Sequence, residues 1–436
     1  MPARTKQIDL DTATRIHLIG IGGIGMSALA RFLTAEKKVV SGSDRILTPL
    51  THALASEGIQ VMGEQSPENI SRELDLVIYS EAVPEDHPER VAATKARIPT
   101  VSYFTALGAA MNPYYLIAVA GTHGKTTTTA MLTDVFEAAG KDPTAIIGSL
   151  RASTKQNFRY GKSKYAIVEA CEYRRDFLSL RPDVLVILNL EHEHPDYYAD
   201  LADVQAAFRS LIEQVNEGGV VVTNPKDPNI APILEDAPVR VVDYTEALDL
   251  SLPLRQPGLH NRYNAAAALS VATLEKLDRS DVRTTLSQFA GTWRRFEYKG
   301  ECRGAAIFDD YAHHPTEIAA TLAGARELYP RARLTIIFQP HTFSRTAALF
   351  GEFARALAQA DRAYILPIYG AREINEQNIS SRELAVRALE FNSEVSYVES
   401  FEAAQAELMP TLSGDDVVIV MGAGDVTDLA SELTRT

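Results

Sequence analysis

A chain of 436 residues with 46% hydrophobic content is too long for one ordinary domain and apolar enough to fill several cores, which sets disorder aside. The formal net charge of −14 argues against broad electrostatic binding of nucleic acid or of an anionic membrane, although a nest of backbone N–H groups still holds a phosphate locally. Two distant cysteines, Cys171 and Cys302, offer neither a disulfide framework nor a zinc pattern, and with no apolar leader or spanning run a soluble cytoplasmic protein is expected.

The first elements alternate. "IHLIGI" reads as a short buried strand, a glycine loop follows, and "MSALARFLTAE" reads as a helix. "KVVSGSD" is a second strand ending on Asp44, "LDLVIYS" and "IPTVSY" are further strands, and "MNPYY" is a linker. Gly20-x-Gly22-x-x-Gly25, after a strand and before a helix, fits the dinucleotide fingerprint, and Asp44 stands where an acid meets a ribose hydroxyl. Taken alone, that pattern favours an NAD-dependent dehydrogenase. Its physical content is narrower: glycines let backbone amides approach a diphosphate at a helix N-terminus, and a UDP-sugar carries a diphosphate and a ribose too.

The next strand, "LIAVAG", leads into Gly121-Thr122-His123-Gly124-Lys125-Thr126 and a helix expected from about Thr126 to Ala139. A standard Walker A loop has a glycine six residues before the lysine; here that position is Val119, so the loop is shorter. Lys125 supplies a point charge for the β/γ-phosphates and Thr126 a hydroxyl for Mg²⁺. Four consecutive threonines, Thr126 to Thr129, are poor helix formers, which suits a first turn organised around an anion.

"YAIVEA", "DVLVILNL" and "GGVVVTN" are near-continuous apolar strands, as a sheet covered on both faces requires. Ligands of open α/β sheets sit beyond the carboxyl ends of strands, where Glu169 and the cluster Glu191, Glu193, His194 and Asp196 make a plausible metal site. Mg²⁺ prefers oxygen ligands, so a histidine there needs independent support. After a helical stretch at "PGLHNRYNAAAALSVATLEKL", the alternation resumes with strands in "AAIFDD", "LTIIFQPH", "AYILPIYG" and "DVVIVMGAGD". Three α/β units in a row follow from this order.

The stretches "GIGGIGMSALA", "VIYSEAV", "GTHGKTTTT", "EACEYRRDFL", "NLEHEHPDYY", "HNRYNAAAA", "RRFEYKG", "DDYAHHPTE", "FQPHTFSRT" and "MGAGD" together resemble the Mur ligases, ATP-dependent amino-acid ligases of peptidoglycan assembly, over essentially the whole chain. The resemblance implies an N-terminal Rossmann-like UDP-sugar domain (1–112), a central P-loop ATPase-like domain built on a parallel sheet (113–294), and a Rossmann-like C-terminal domain (295–436) that closes over the amino acid. Carried over by position, Gly22, Gly23, Ile24, Gly25, Asp44 and Ser80 would bind the UDP-sugar. Gly121, Thr122, His123, Gly124, Lys125, Thr126, Thr127, Asn261, Asn264, Arg295 and Asp310 would bind ATP. Thr126, Glu169 and His194 would hold Mg²⁺, two ions being expected. Tyr311, His313, His341 and Arg345 would surround the incoming amino acid, with Lys125, Glu169, His194, His313 and Arg345 as the catalytic set.

The branch most resembled joins L-alanine to UDP-N-acetylmuramate as a monomer or homodimer, without nucleic acid or membrane partners. Between Pro195 and Pro225 there is no lysine, whereas several later Mur ligases carry a carbamylated one in that region. "EACEY" stands for the family's "EADES", Glu193-His194 for "DH", Gly63-Glu64 for "GH", and Thr342 for the arginine of "FQPHR". Other readings are a peptide-recycling ligase that joins a murein tripeptide to the same sugar, a nucleotide-dependent switch, and the dehydrogenase.

Overall fold

The computed structural model describes residue 10 and residues 12–195, 197–371 and 373–435. Among these residues the strands gather into three sheets in chain order. The first contains β1 (Arg15–Ile19), β2 (Val39–Ser43), β3 (Gln60–Met62), β4 (Leu76–Tyr79) and β5 (Thr100–Ser102) in the order β3-β2-β1-β4-β5. All neighbouring pairs are parallel. Strand order reverses on either side of β1, so a crevice opens at its carboxyl end. Ile19 pairs with Ser43 and with Tyr79, and this register brings Gly20, Asp44 and Ser80 to one edge.

The second sheet is β6 (Tyr115–Ala120), β7 (Thr144–Ile146), β8 (Phe158–Arg159), β9 (Tyr165–Glu169), β10 (Val184–Ile187), β11 (Val220–Thr223) and β12 (Arg240–Asp243), ordered β12-β11-β10-β6-β9-β7-β8. Only the short β8 runs antiparallel. Val119 is a buried residue of β6, paired with Glu169 of β9. The position that a standard Walker A fills with glycine is therefore ladder, and the loop starts later, at Gly121.

The third sheet is β13 (Glu297–Cys302), β14 (Ala305–Asp310), β15 (Arg333–Phe338), β16 (Arg362–Ile365), β17 (Val395–Tyr397) and β18 (Asp416–Met421), ordered β13-β14-β18-β15-β16-β17. Alternate residues of its strands feed opposite faces: Phe308, Ile336, Phe338 and Ile419 fill one core, Ile307, Ile337, Val418 and Val420 the other. By packing, the chain divides into two compact units. The first comprises Met1–Leu190, Gln205–Ala247 and Ala267–Thr285; the second comprises Glu191–Val204, Leu248–Ala266 and Leu286–Thr436. Among the described residues no helix is long and apolar enough to cross a membrane.

Several strands end earlier than the apolar runs that announce them, and two of these boundaries bear on the sites. "IPTVSY" does not end as a strand at Tyr103; Ser102 caps a helix, Tyr103–Met111, by accepting from the Thr105 amide at 3.3 Å. "DVLVILNL" leaves the ladder after Ile187, and Leu188–Leu190 belong to the crossing segment that reaches the P-loop.

Candidate active site

The P-loop is built by backbone geometry. Gly121 (φ 131°) and Gly124 (φ 85°) hold conformations that a side chain resists, and Gly124 caps the helix Lys125–Ala138. Asn189 clamps the loop from the neighbouring segment: its carbonyl accepts from Thr122 N at 3.2 Å, its Oδ1 accepts from His123 N at 2.8 Å, and its Nδ2 donates to His123 O at 3.1 Å. Lys125 Nζ donates to Thr122 O at 3.0 Å and to Glu172 Oε1 at 3.0 Å, and also reaches Gly121 O. Burial is the largest influence on the Lys125 pKa and lowers it, but Glu172 and the acidic groups around it together hold the ammonium above its ordinary value. Thr127 is buried in the same first turn.

Glu169 stands at the end of β9 beside this loop. Its Oε2 accepts from Thr126 Oγ1 at 3.1 Å, and its Oε1 accepts from the Gly148 amide. A methyl on Gly148 would lie 2.5 Å from Glu169 Oε2, so this glycine keeps the carboxylate close to Thr126. A Gly148→Ala variant is expected to fold, because the clash falls on the far end of a flexible side chain, yet to require several-fold more Mg²⁺ for half-maximal ADP release; an unchanged Mg²⁺ titration contradicts this. Cys171 follows two residues after Glu169, and burial, then the Glu172 carboxylate, pushes its thiol up to about 12, which keeps it protonated.

The glycine loop of the first sheet is also self-bonded. Gly20 N and Ile21 N donate to Ser43 O at 2.8 and 3.1 Å, Gly22 N to Asp44 Oδ2 at 2.8 Å, and Gly23 N to Gly20 O at 3.1 Å. Asp44 therefore braces the loop in this structure, its other oxygen accepting from Ile46 N at 3.2 Å. Ser80 packs against Gly20 from the adjoining strand end. Ile24 opens the helix Ile24–Ala35, and its carbonyl accepts from buried Asn157 at 2.6 Å. All these residues lie in the first unit.

The second unit gathers the remaining expected residues. Arg345 Nε and Nη2 both donate to Glu193 Oε1, at 2.9 and 2.7 Å, and Nη1 donates to His341 O at 3.2 Å. Glu193 and Arg345 are each under 10% exposed. Burial alone would raise the Glu193 carboxyl, but Arg345, then the surrounding histidines, hold it well below the usual carboxylate range. The carboxylate arm at this position reaches the guanidinium, so the departure from "DH" has a partner of its own. His194 (φ 56°) follows directly; its carbonyl accepts from Tyr197 N and Tyr198 N at 2.9 Å each. Asp196 lies outside the described residues.

His341 stacks on Tyr369 (centroids 5.7 Å, 16°), with the His313 ring at 6.1 Å and Arg345 Nη1 3.3 Å from its Nδ1. Burial pushes both histidines down to about 4, with Glu317 opposing at His313 and with His313 and Arg345 adding at His341. Both are neutral imidazoles near neutral pH. The guanidiniums of Arg294 (5.1 Å) and Arg295 (5.4 Å) both stand over the Tyr311 ring. Asp310 is pushed up to about 6 by burial, Arg295 opposing; its oxygens accept from Phe296 N at 2.8 Å and Ala312 N at 2.7 Å, which makes it a loop fastener in this arrangement. His314 holds its helix as the N-cap, accepting from Thr316 N at 3.3 Å. In the helix Leu259–Leu274, Asn261 Nδ2 donates to Pro257 O at 2.8 Å and Asn264 Nδ2 to Asn261 Oδ1 at 3.2 Å.

Sequence reasoning overlooked Glu172, Gly148 and Asn189. Glu172 and Asn189 both sit within quoted motifs, Glu172 three residues past Glu169 and Asn189 at the end of an apolar strand run; Gly148 carries no local pattern.

Three family models match in the expected order: the Mur ligase family catalytic domain at residues 15–115, the Mur ligase middle domain at 119–249, and the Mur ligase glutamate ligase domain at 294–424. The chain is 40% identical to a UDP-N-acetylmuramate–L-alanine ligase of Agathobacter rectalis over 457 aligned positions, covering 98% of this chain and 99% of that one. It belongs to the Mur ligase family. A second L-alanine ligase, from Lachnospira eligens, is 37% identical and covers 98% of this Mur ligase. Among solved structures, the UDP-N-acetylmuramate–alanine ligase of Thermotoga maritima superposes with a TM-score of 0.81 at 28% identity, covering 97% of this chain and 98% of that one. A murein peptide ligase from Psychrobacter arcticus, at 23% identity and a TM-score of 0.71 over 96% and 98% of the two chains, shares the fold.

Proposed function

We propose that this Mur ligase joins L-alanine to the lactyl carboxylate of UDP-N-acetylmuramate, consuming ATP and releasing ADP and phosphate, in the cytoplasmic stage of peptidoglycan synthesis. The observation that carries the reading is the full-length likeness, at 36–40% identity, to ligases named for that reaction. The same reading divides the chain into a UDP-sugar domain (1–112), an ATP domain (113–294) and an amino-acid domain (295–436).

A carboxylate oxygen is a poor leaving group, so the acid must be activated before an amine can displace it. The lactyl carboxylate attacks the γ-phosphorus of ATP, the bond to the β-γ bridging oxygen breaks, and ADP leaves with that oxygen. Anion meets anion in this step. Lys125, which pairs with Glu172, supplies the positive charge, and the loop that Asn189 clamps through Thr122 and His123 presents the helix N-terminus at Gly124 and Lys125 to the phosphates. Thr126 Oγ1 and Glu169 Oε2, 3.1 Å apart, form an all-oxygen pair beside the lysine that fits Mg²⁺, and His194 is the proposed ligand for a second ion by motif position. When bound, Mg²⁺ neutralises and orients phosphate oxygens.

The alanine amine, in its neutral form, then attacks the acyl carbon; phosphate departs with one former carboxylate oxygen and the amine loses a proton. His313 and His341, both neutral, offer acceptors near Tyr311 for the alanine side. UDP-N-acetylmuramate labelled with heavy oxygen in its lactyl carboxylate tests this order: one labelled oxygen is expected in the released phosphate. Unlabelled phosphate contradicts an acyl-phosphate route.

A further inference from the structure

The amides of the first glycine loop leave little for a diphosphate. Those of Gly20, Ile21, Gly22 and Gly23 already donate within the protein, which leaves the first-turn amides of Ile24, Gly25 and Met26. A diphosphate has more acceptor oxygens than these three amides can meet. Tyr103 stands beside them. A methyl built on Gly25 would lie 2.6 Å from the Tyr103 hydroxyl oxygen, 2.7 Å from Cζ and 3.1 Å from Cε1. Because Cα–Cβ bonds of a helix tilt toward its N-terminus, the phenol occupies the N-terminal side of Gly25, on the side an anion would approach. The third glycine of the fingerprint ordinarily permits close helix–strand packing. Here its missing side chain makes room for a hydroxyl.

The phenol is placed by ordered structure. Tyr103 opens the helix Tyr103–Met111, which Ser102 caps, and Phe104 meets its ring edge-on at 4.8 Å. Among the described residues no group receives a hydrogen bond from its hydroxyl, whose pKa is raised by burial and then by the Glu169 carboxylate. It stays a protonated donor at any working pH.

We propose that Tyr103 is a substrate-binding residue of this ligase, its hydroxyl donating a hydrogen bond to the diphosphate of the UDP-sugar above Gly25. This rests on the reading that the glycine loop holds that diphosphate. Tyr103→Phe keeps the ring against Gly25 and removes only the donor, so a packing role alone leaves it silent. Titration calorimetry with UDP is expected to show about tenfold weaker binding to Tyr103→Phe, as for loss of one hydrogen bond to a charged group. The KM for UDP-N-acetylmuramate should rise in step, while the KM for ATP and the melting temperature stay at wild-type values.

Gly23→Ala serves as the comparison, since its methyl meets Gly20 O at 3.4 Å and Met26 at 3.7 Å, ordinary contacts, yet stands at the helix N-cap that the diphosphate approaches. Weaker UDP binding by Gly23→Ala with wild-type binding by Tyr103→Phe overturns the Tyr103 assignment alone. Wild-type binding by both variants overturns the loop reading and the assignment with it.

Discussion

Lys125→Ala is expected to bring ADP release down by roughly a thousandfold or more, since on the proposed reading it removes the charge that meets the transferring phosphoryl group. Calorimetric binding of UDP-N-acetylmuramate should survive, because the glycine loop of β1 is built from its own hydrogen bonds to Ser43 and Asp44. The substitution has a structural cost to be separated from the chemical one. Lys125 pairs with Glu172 at 2.9 Å, and the Glu172 side chain is 4% exposed, so alanine strands a buried carboxylate. A Lys125→Met, Glu172→Gln double variant removes that stranded charge. It should regain thermal stability while ADP release remains at the level of the single variant. Recovery of activity in the double variant would deny Lys125 its role, and joint loss of sugar binding and ADP release in the single variant would mark misfolding.

Glu193→Ala is expected to destabilise the second unit by about 3–5 kcal/mol, the usual cost of breaking a buried ion pair from one side. Arg345 donates two hydrogen bonds to Glu193 Oε1 and is itself buried, so the variant leaves a guanidinium with most of its donors unmet. Replacing both partners with apolar residues, Glu193→Leu with Arg345→Met, should restore most of the loss, since an apolar pair of similar volume forgoes the desolvation of two charges. Urea unfolding of the two singles and the double reads this directly. A double variant no more stable than Glu193→Ala contradicts the pairing. Turnover should stay low in the double variant, because His341, whose carbonyl Arg345 holds at 3.2 Å, loses its support on what is proposed as the alanine side.

Much of the architecture was legible because parallel sheets write themselves as apolar runs. "LIAVAG", "YAIVEA" and "GGVVVTN" lie on buried strands, and the P-loop follows at the end of β6. Glu169 was legible for the same reason: a carboxylate ending an apolar run has few other places to be. What the sequence hid was set by tertiary register or by the absence of atoms. Val119 read as a missing glycine until its pairing with Glu169 placed it inside the sheet. Gly148 gives no local signal, since its use is the room it leaves for a residue 21 positions away. Tyr103 was read as a strand end because "IPTVSY" is apolar and β-branched, whereas the cap supplied by Ser102 starts a helix there. Glu193 reads in sequence as one member of an acidic cluster, and its partner Arg345 lies 152 positions further along the chain.

The reaction itself is tested most directly by ADP release in the presence of ATP, Mg²⁺ and UDP-N-acetylmuramate, with single amino acids and the murein tripeptide offered in turn. Release is expected with L-alanine and not with the tripeptide. Release with the tripeptide and none with L-alanine would contradict the assignment and make this chain a recycling ligase.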